Sequence, residues 1–202
     1  MDTPKENIAI LILAAGASMR MGRAKQLLPW GKTTLLEHSI AMAIGTNAEQ
    51  ITVVLGANAN TIKLAVPMNG ISHIVNPNWE SGLGSSLACG MQLLTKWKST
   101  HDGILIMLCD QPLMDTGFLN SLIEQFKGGQ KGIVATRYGE RAGVPAIFST
   151  RYFSELATLH KDFGAKNLLD QNKSDVLSID PQGKAIDVDT FEDYQKLARG
   201  HF

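Results

Sequence analysis

The sequence predicts an α/β fold with a mostly parallel central sheet, contained in one domain that spans residues 1–202. Strand-like and helix-like patterns alternate along the chain, which is typical of a parallel sheet whose strands are joined by helices. Residues 8–13 and 104–108 are apolar without interruption, as in strands that are buried on both faces. The length of 202 residues fits one domain, and no proline- or glycine-rich linker divides it.

Apolar runs and apolar faces set the order of the predicted elements. Apolar, β-branched runs predict strands, which in chain order are 8–13, 51–55, 71–75, 104–108, 132–136, 144–148 and 176–179. Apolar residues that share one helical face predict the intervening helices, which are placed at 35–48, 61–66, from 87 onward, 116–126, 152–159, 165–170 and 191–199. The face of the first helix is formed by Leu35, Leu36, Ile40 and Ala43. An extended segment at 186–189 precedes the last helix.

Composition and charge argue against several classes of protein. The formal net charge is +0, from 19 basic and 19 acidic residues, so we expect no nucleic acid as a partner. Cys89 and Cys109 have neither a metal-binding nor a redox spacing. No apolar run approaches the roughly 20 residues of a membrane span, and residues 1–7 lack the apolar core of a signal peptide. We therefore expect a cytoplasmic protein with no membrane partner.

The first apolar run ends in a loop of small residues that carries two basic side chains. Residues 14–18 are alanine, glycine and serine, and Arg20 and Lys25 follow. Ligands of open α/β sheets bind just beyond the carboxyl ends of the strands, and small residues allow backbone N–H groups to approach an anion. The combination predicts a polyphosphate ligand. The alternative is a surface loop with two solvated basic residues.

Asp110 follows the apolar run 104–108 with only Cys109 between them, and it therefore lies at the ligand edge of the predicted sheet. Hard carboxylate oxygens hold Mg²⁺, which also takes phosphate oxygens and water, so Asp110 is a candidate metal ligand. The alternative is an aspartate that caps a helix or stabilises a turn. Cys109, beside it, is expected to be a small buried residue and not a nucleophile.

A second acidic element lies before the last helix. Asp187 and Asp189 fall on the same side of an extended segment, and two like charges so close favour a cation or solvent between them. The alternative is that Asp189 or Thr190 caps the last helix, with Asp193 in its first turn.

These elements together resemble the MobA-like NTP transferase family. The first loop matches the signature loop of the family at Leu13, Ala14, Ala15, Gly16, Ser18, Arg20, Met21, Gly22 and Lys25. Asp110-Gln111-Pro112 resembles its Gly-Asp-Gln-Pro motif, residues 187–190 resemble its Asp-x-Asp-Thr element, and Trp79, Gly82 and Ser86 resemble its base- and ribose-contacting loop. The resemblance implies a Rossmann-like, three-layer α/β/α domain. For the last loop, the alternative is an ordinary entry into a helix capped by Ser85 or Ser86.

The resemblance also implies roles for individual residues. The nucleotide would contact Leu13, Ala14, Ala15, Gly16, Ser18, Arg20, Lys25, Gly82 and Ser86. Arg20, Lys25 and Asp110 would act in catalysis, and Asp110 and Asp189 would hold Mg²⁺. The acceptor would contact Gly143, Pro145, Asp162, Gly164, Lys166 and Asp187. Four residues depart from the pattern of the family: Cys109, Val144, Lys161 and Lys166.

The loop is similar to that of the molybdenum cofactor cytidylyltransferase branch, because it has Ala15 where the guanylyltransferase branch usually has a glycine. The implied reaction joins CTP to molybdopterin that carries molybdenum, releases pyrophosphate and supplies a molybdoenzyme with the product. The alternatives are a guanylyltransferase or sugar-phosphate nucleotidyltransferase of the same fold, and a non-catalytic carrier or insertion protein for the molybdenum cofactor.

Overall fold

A computed structural model describes residues 7–96, 101–160 and 164–200 of the chain. The strands are β1 Ile8–Ala14, β2 Pro29–Trp30, β3 Thr33–Thr34, β4 Gln50–Leu55, β5 Ser72–Val75, β6 Gly103–Leu108, β7 Ile133–Tyr138, β8 Arg141–Ser149 and β9 Val176–Ile179. The α-helices are α1 Leu35–Ile44, α2 Ala59–Ala65, α3 Leu83–Lys96, α4 Thr116–Lys127, α5 Phe153–Ala157, α6 Lys166–Gln171 and α7 Phe191–Arg199.

Seven strands form one mixed sheet in the order β5-β4-β1-β6-β8-β7-β9. Strand β8 is antiparallel to both of its neighbours, and the remaining pairs are parallel. Only Gly139 and Glu140 separate β7 from β8, and so short a loop can join only antiparallel strands. Gly139 has a φ of 59°, which suits the first position of a type II′ hairpin turn. The expected mostly parallel α/β fold is confirmed.

The central strand β1 lies in the middle of three layers and contacts a layer of helices on each of its faces. All of its residues are at most 4% exposed, as the continuous apolar run predicts. The even-numbered side chains pack into one core with α1, α2 and α4, and the odd-numbered ones pack into a second core with α3, α5 and α6. A third, smaller cluster places α7 against the β2–β3 hairpin.

The structure differs from the predicted elements at several points. The first helix ends at Ile44 and not at residue 48, because the Thr46 side chain donates to the Ala43 carbonyl (2.7 Å) and closes a turn there. The third helix begins at Leu83, directly after Gly82, whose φ is 96°. The β2–β3 hairpin was not predicted. The segment 186–189 joins no strand, although it keeps the predicted alternation, with Val188 fully buried.

Candidate active site

The carboxyl ends of β1 and β6 meet where the strand order of the sheet reverses. From β1 the chain builds outward through β4 and β5, and it returns to β6 on the other side of β1. Open α/β sheets bind ligands at this kind of reversal. A cavity of about 380 Å³ lies there, within the usual range for small-molecule sites. Its walls are formed by residues 13–19, Lys25, Gln26, Trp79, Glu80, Gly82, Leu83, Ser86 and residues 108–110.

Gln26 holds the loop after β1 in place. Its side chain is fully buried, and Nε2 donates to the backbone oxygens of Ala14 (2.8 Å) and Gly16 (2.9 Å). Ser18 has a left-handed backbone with a φ of 56°, and its Oγ accepts a hydrogen bond from the Lys25 backbone N–H (3.1 Å). These contacts tie the start of the loop to its end, so that the small residues form one wall of the cavity.

Lys25 lies between two carboxylates. Its Nζ is ion-paired with Asp110 Oδ2 and lies 3.9 Å from Asp189 Oδ1, and it also lies 3.4 Å from the Val188 carbonyl oxygen. Burial alone would lower the pKa of Lys25, but the charge of Asp110 and its hydrogen bond, with Asp189 adding to them, raise it above its usual value. Lys25 therefore stays charged, and the predicted Lys25, Asp110 and Asp189 are brought together at the cavity.

Asp110 has the environment of a cation ligand. Its Oδ1 is buried and accepts no hydrogen bond from any residue that the structure describes, which is costly unless a cation or donor satisfies it. Asp110 does not cap the following helix, because Asp115 does so by accepting from the Phe118 N–H (2.8 Å). Mg²⁺ needs only one or two carboxylates when phosphate oxygens and waters complete its shell. Asp110 with Asp189 fits that requirement.

A preformed metal cage is not part of this site. Within residues 7–96, 101–160 and 164–200, no group of three or more histidine, cysteine, aspartate or glutamate side chains is arranged to hold a metal ion. Two carboxylates beside an open cavity instead suit a cation that arrives with a phosphorylated ligand.

The last helix has a cap that does not use the side chain of Asp189. Thr190 Oγ1 accepts from the Asp193 N–H (3.1 Å), and Asp193 Oδ2 accepts from the Thr190 N–H (2.9 Å). Thr190 and Asp193 thus form a reciprocal capping box. The predicted alternative holds for Thr190 and not for Asp189, which remains directed at Lys25.

Asp187 is held by a neighbour of Asp110. Its Oδ1 accepts a hydrogen bond from Gln111 Nε2 (2.8 Å). Partial burial raises the pKa of Asp187, and the negative charges of Asp110 and Asp189 raise it further, against the opposing hydrogen bond from Gln111. The hydrogen bond from Gln111 therefore places Asp187 near the other acidic residues of the site.

Cys109 is 3% exposed, and burial raises the pKa of its thiol to about 12. The thiolate is the nucleophilic form of cysteine, so a group this buried and this weakly acidic does not attack a substrate. Cys109 instead packs in the core that the even-numbered side chains of β1 form.

Of the other predicted nucleotide contacts, some lie in the cavity walls and one lies outside them. Gly82 and Ser86 lie in the cavity walls, and the Ser86 hydroxyl accepts from Asn76 Nδ2 (3.0 Å) in the first turn of α3. Arg20 is exposed on the short helical turn Met19–Met21 and lies outside the cavity walls. The structure therefore does not bring Arg20 to Lys25 and Asp110.

The predicted acceptor contacts are mostly dispersed. Pro145 is buried, and its carbonyl accepts from Thr136 Oγ1 (2.7 Å), so direct contact with an acceptor is corrected to a packing position within β8. Lys166 is exposed at the start of α6. A Cβ on Gly164 would lie 3.0 Å from Leu83 Cδ2, which places Gly164 behind a cavity wall. Asp162 lies outside the described residues.

Gly143 has a steric explanation. A Cβ added to Gly143 would lie 2.7 Å from Cε2 of Tyr138, closer than any carbon side chain tolerates. Only glycine therefore allows the Tyr138 ring to pack on β8. This packing is sufficient to explain the glycine, and the acceptor contact of Gly143 stays a prediction.

Sequence reasoning missed three polar residues of the site: Gln26, Gln111 and Tyr138. Gln26 is adjacent to Lys25, and Gln111 belongs to the Asp110-Gln111-Pro112 motif, so the neighbouring motif residues were the available signal. Tyr138 offers no such signal, because its hydroxyl meets Gln111 across 27 positions of sequence.

The described residues form an α/β fold with a mostly parallel sheet and a cavity at its strand reversal. A nucleotidyl transferase from Methanothermobacter has the same fold, with a TM-score of 0.78 over 96% of this chain and 97% of that chain at 17% identity. Residues 10–176 match the MobA-like NTP transferase domain. The chain belongs to that family, which confirms the resemblance seen in its motifs.

Two relatives match along almost the whole chain. Nicotine blue oxidoreductase from Paenarthrobacter nicotinovorans is 29% identical over 207 residues, which cover 97% of this chain and 98% of that protein. The crystal structure of Rv0371c from Mycobacterium tuberculosis has a TM-score of 0.84 at 32% identity, covering 98% of this chain and 100% of that chain. Rv0371c has also been solved in complex with manganese, with a TM-score of 0.77 at 30% identity over 96% of this chain and 98% of that one.

Among the described helices, none is both long enough and apolar enough to cross a membrane.

Proposed function

We propose that this protein transfers a nucleoside monophosphate from an NTP to a phosphorylated small-molecule acceptor and releases pyrophosphate. The observation that carries the proposal is the placement of Lys25 and Asp110 in the wall of the cavity at the β1–β6 reversal. Membership of the MobA-like NTP transferase family supports the same reaction.

The chemistry then depends mainly on positioning and charge neutralisation. The acceptor phosphate is ionised near neutral pH, so its oxygen can attack the α-phosphorus in line without a general base. Residues 14–18 line the cavity, and their backbone N–H groups would bind phosphate oxygens. Lys25 would offset charge on the triphosphate, most effectively as charge moves to the leaving pyrophosphate.

Asp110 and Asp189 are the residues that would hold a divalent cation, which we propose to be Mg²⁺. When bound, such a cation supplies positive charge to the transferring and leaving phosphates. The unpartnered Oδ1 of Asp110 supports this assignment. The manganese complex of Rv0371c shows that a relative at 30% identity accepts a divalent metal.

We infer that CTP is the donor and that molybdopterin carrying molybdenum is the acceptor. Ala15 lies in the cavity wall, at the position where the guanylyltransferase branch usually has a glycine. A guanylyltransferase or a sugar-phosphate nucleotidyltransferase differs from this proposal only in base or acceptor. A cofactor carrier without catalysis would not need the charged set of Lys25, Asp110 and Asp189.

A redox function is the second candidate, and the name of one relative favours it. Nicotine blue oxidoreductase is 29% identical along nearly its whole length. An oxidoreductase exchanges electrons with a second substrate, and a nicotinamide nucleotide is one electron carrier that could bind in the cavity in place of an NTP.

Isothermal titration calorimetry with CTP, GTP, ATP, UTP and NADPH tests these candidates, each in Mg²⁺ and in EDTA. We expect Mg²⁺-dependent binding of CTP in preference to the others, followed by pyrophosphate release when the molybdenum cofactor is added. A preference for GTP or UTP would move the proposal to another base. NADPH binding without NTP binding would favour the redox candidate. CTP binding without pyrophosphate release from any phosphorylated acceptor would favour a carrier.

A further inference from the structure

Gln111 connects three segments that are distant in sequence. It is 4% exposed, and its Nε2 lies 2.6 Å from Tyr138 Oη, 2.8 Å from Asp187 Oδ1 and 3.3 Å from the Val144 carbonyl oxygen. A carboxylate and a carbonyl can only accept hydrogen bonds, so the amide nitrogen must face them. The orientation of the Gln111 side chain is therefore determined by its surroundings.

Tyr138 fixes the far side of this contact. Its hydroxyl accepts from Gln111 and donates to the Val144 carbonyl. Its ring packs where a Cβ on Gly143 would stand. Tyr138 is thus held at both its ring and its hydroxyl, and its hydroxyl oxygen accepts a hydrogen bond from Gln111.

The segment that carries Asp189 is attached to the Asp110 turn at two consecutive residues. The Asp187 side chain accepts from Gln111, and the Val188 backbone N–H donates to the Asp110 carbonyl oxygen (2.8 Å). Asp189 follows directly, with its side chain 58% exposed and its Oδ1 3.9 Å from Lys25 Nζ. The position of Asp189 is set by these two attachments before it and by the Thr190–Asp193 capping box after it.

We propose that Gln111, oriented by Tyr138, positions residues 187–189 so that Asp189 faces Lys25 and Asp110. In this assignment Asp187 is a positioning residue that serves as a hydrogen-bond acceptor, and its negative charge is not used as a cation ligand or an acceptor contact. The inference rests on the proposed function for the role of Asp189. Outer hydrogen bonds of this kind orient metal-binding carboxylates.

Conservative substitutions separate positioning from direct use of the charge. Asp187→Asn keeps an acceptor oxygen for Gln111 and removes the charge, whereas Asp187→Ala removes both. Gln111→Leu removes the donor at similar size, and Tyr138→Phe removes one hydroxyl. Tyr152→Phe is the matched control, because it removes a hydroxyl that binds Asp175 (2.6 Å) outside the cavity walls.

The first measurement is Mn²⁺ affinity in the presence of CTP, read from the electron paramagnetic resonance signal of free Mn²⁺. We expect Gln111→Leu and Asp187→Ala to weaken Mn²⁺ binding by up to about ten-fold, because direct outer partners of a metal ligand are worth about 10–100-fold and Gln111 acts on Asp189 only through Asp187. Tyr138→Phe should weaken it less, and Tyr152→Phe should match the wild type. Asp187→Asn should weaken it less than Asp187→Ala, because it loses only the distant charge and keeps the acceptor for Gln111. Asp187→Asn binding as weakly as Asp187→Ala would overturn the inference, because the charge would then be used directly.

The second measurement is hydrogen exchange of the Val188 amide, which needs no nucleotide. We expect faster exchange in Gln111→Leu and Asp187→Ala, and unchanged exchange in Asp187→Asn and Tyr152→Phe. Unchanged exchange in Gln111→Leu would refute positioning. If wild-type protein binds no CTP, the proposed function fails, whereas the exchange data still decide whether Gln111 positions this segment.

Discussion

At the scale of residues, Lys25 and Asp110 form a mostly buried ion pair in the wall of the cavity. Their side chains are 17% and 13% exposed, so water screens the pair less than it screens a surface pair. An ionised hydrogen bond of this type is strong and directional. It keeps the Lys25 ammonium at the point where a triphosphate would need positive charge.

Lys25→Ala and Asp110→Ala should each lower the rate of nucleotidyl transfer by at least about 100-fold, the effect expected from removing one preorganised electrostatic stabiliser. Arg20→Ala should have a smaller effect, because Arg20 is exposed outside the cavity walls. Steady-state pyrophosphate release measures all three variants, and circular dichroism checks their folding. Near-normal turnover in folded Asp110→Ala would refute the assignment of Asp110.

Gln26→Leu should destabilise the protein by about 1–3 kcal/mol, because the buried Ala14 carbonyl loses its donor and the loop after β1 loses its attachment. Urea unfolding monitored by fluorescence measures the change. Gln92→Leu is the control, since Gln92 is exposed on α3 and exposed substitutions usually change stability by less than about 0.5 kcal/mol. Equal effects of the two variants would contradict the role of Gln26.

At the scale of elements, Asp175 joins β7, β9 and the turn after β8. Its carboxylate accepts from the Gly132 N–H (3.0 Å) and the Tyr152 hydroxyl (2.6 Å), and it is ion-paired with Arg151 at 3.1 Å. Burial by itself would raise the pKa of Asp175, but the hydrogen bonds from Tyr152 and Gly132, with the charge of Arg151, hold it below its usual value.

The stability contributed by ionised Asp175 should be present in full above its unfolded pKa of 3.8. It should be lost as pH falls through the lower folded pKa, because the unfolded state then binds more protons. Thermal melts between pH 7 and pH 2.5 should therefore show a smaller acid-dependent decrease in Tm for Asp175→Asn than for the wild type. Parallel Tm profiles for the two proteins would contradict this linkage.

At the scale of the whole molecule, the cavity lies at the junction of two halves of the sheet. One wall comes from the loop after β1 and from α3, and the other comes from the end of β6, whose neighbours extend toward β8, β7 and β9. A ligand that contacts both walls binds only the folded arrangement. Binding should therefore stabilise the whole domain.

CTP with Mg²⁺ at 100 times its Kd should add about 2.7 kcal/mol to the free energy of unfolding. Differential scanning fluorimetry should show a higher Tm with CTP, a smaller shift with GTP, and little shift for Asp110→Ala. An equal shift with EDTA in place of Mg²⁺ would contradict the role of the cation.

The sequence determined the class of fold because local patterns report burial directly. The uninterrupted runs in β1 and β6 are strands buried on both faces, and the apolar face of α1 is buried, both as predicted. The motif residues Lys25, Asp110 and Asp189 were also identifiable, since each follows or precedes a predicted element at the ligand edge.

The tertiary structure alone decided which of these residues meet. Lys25 and Asp110 are separated by 85 positions, and Gln111 and Asp187 by 76, so their contacts depend on the strand order and not on local pattern. Periodicity records which side of an element is buried, whereas the partner on that side is set by the packing of the whole chain.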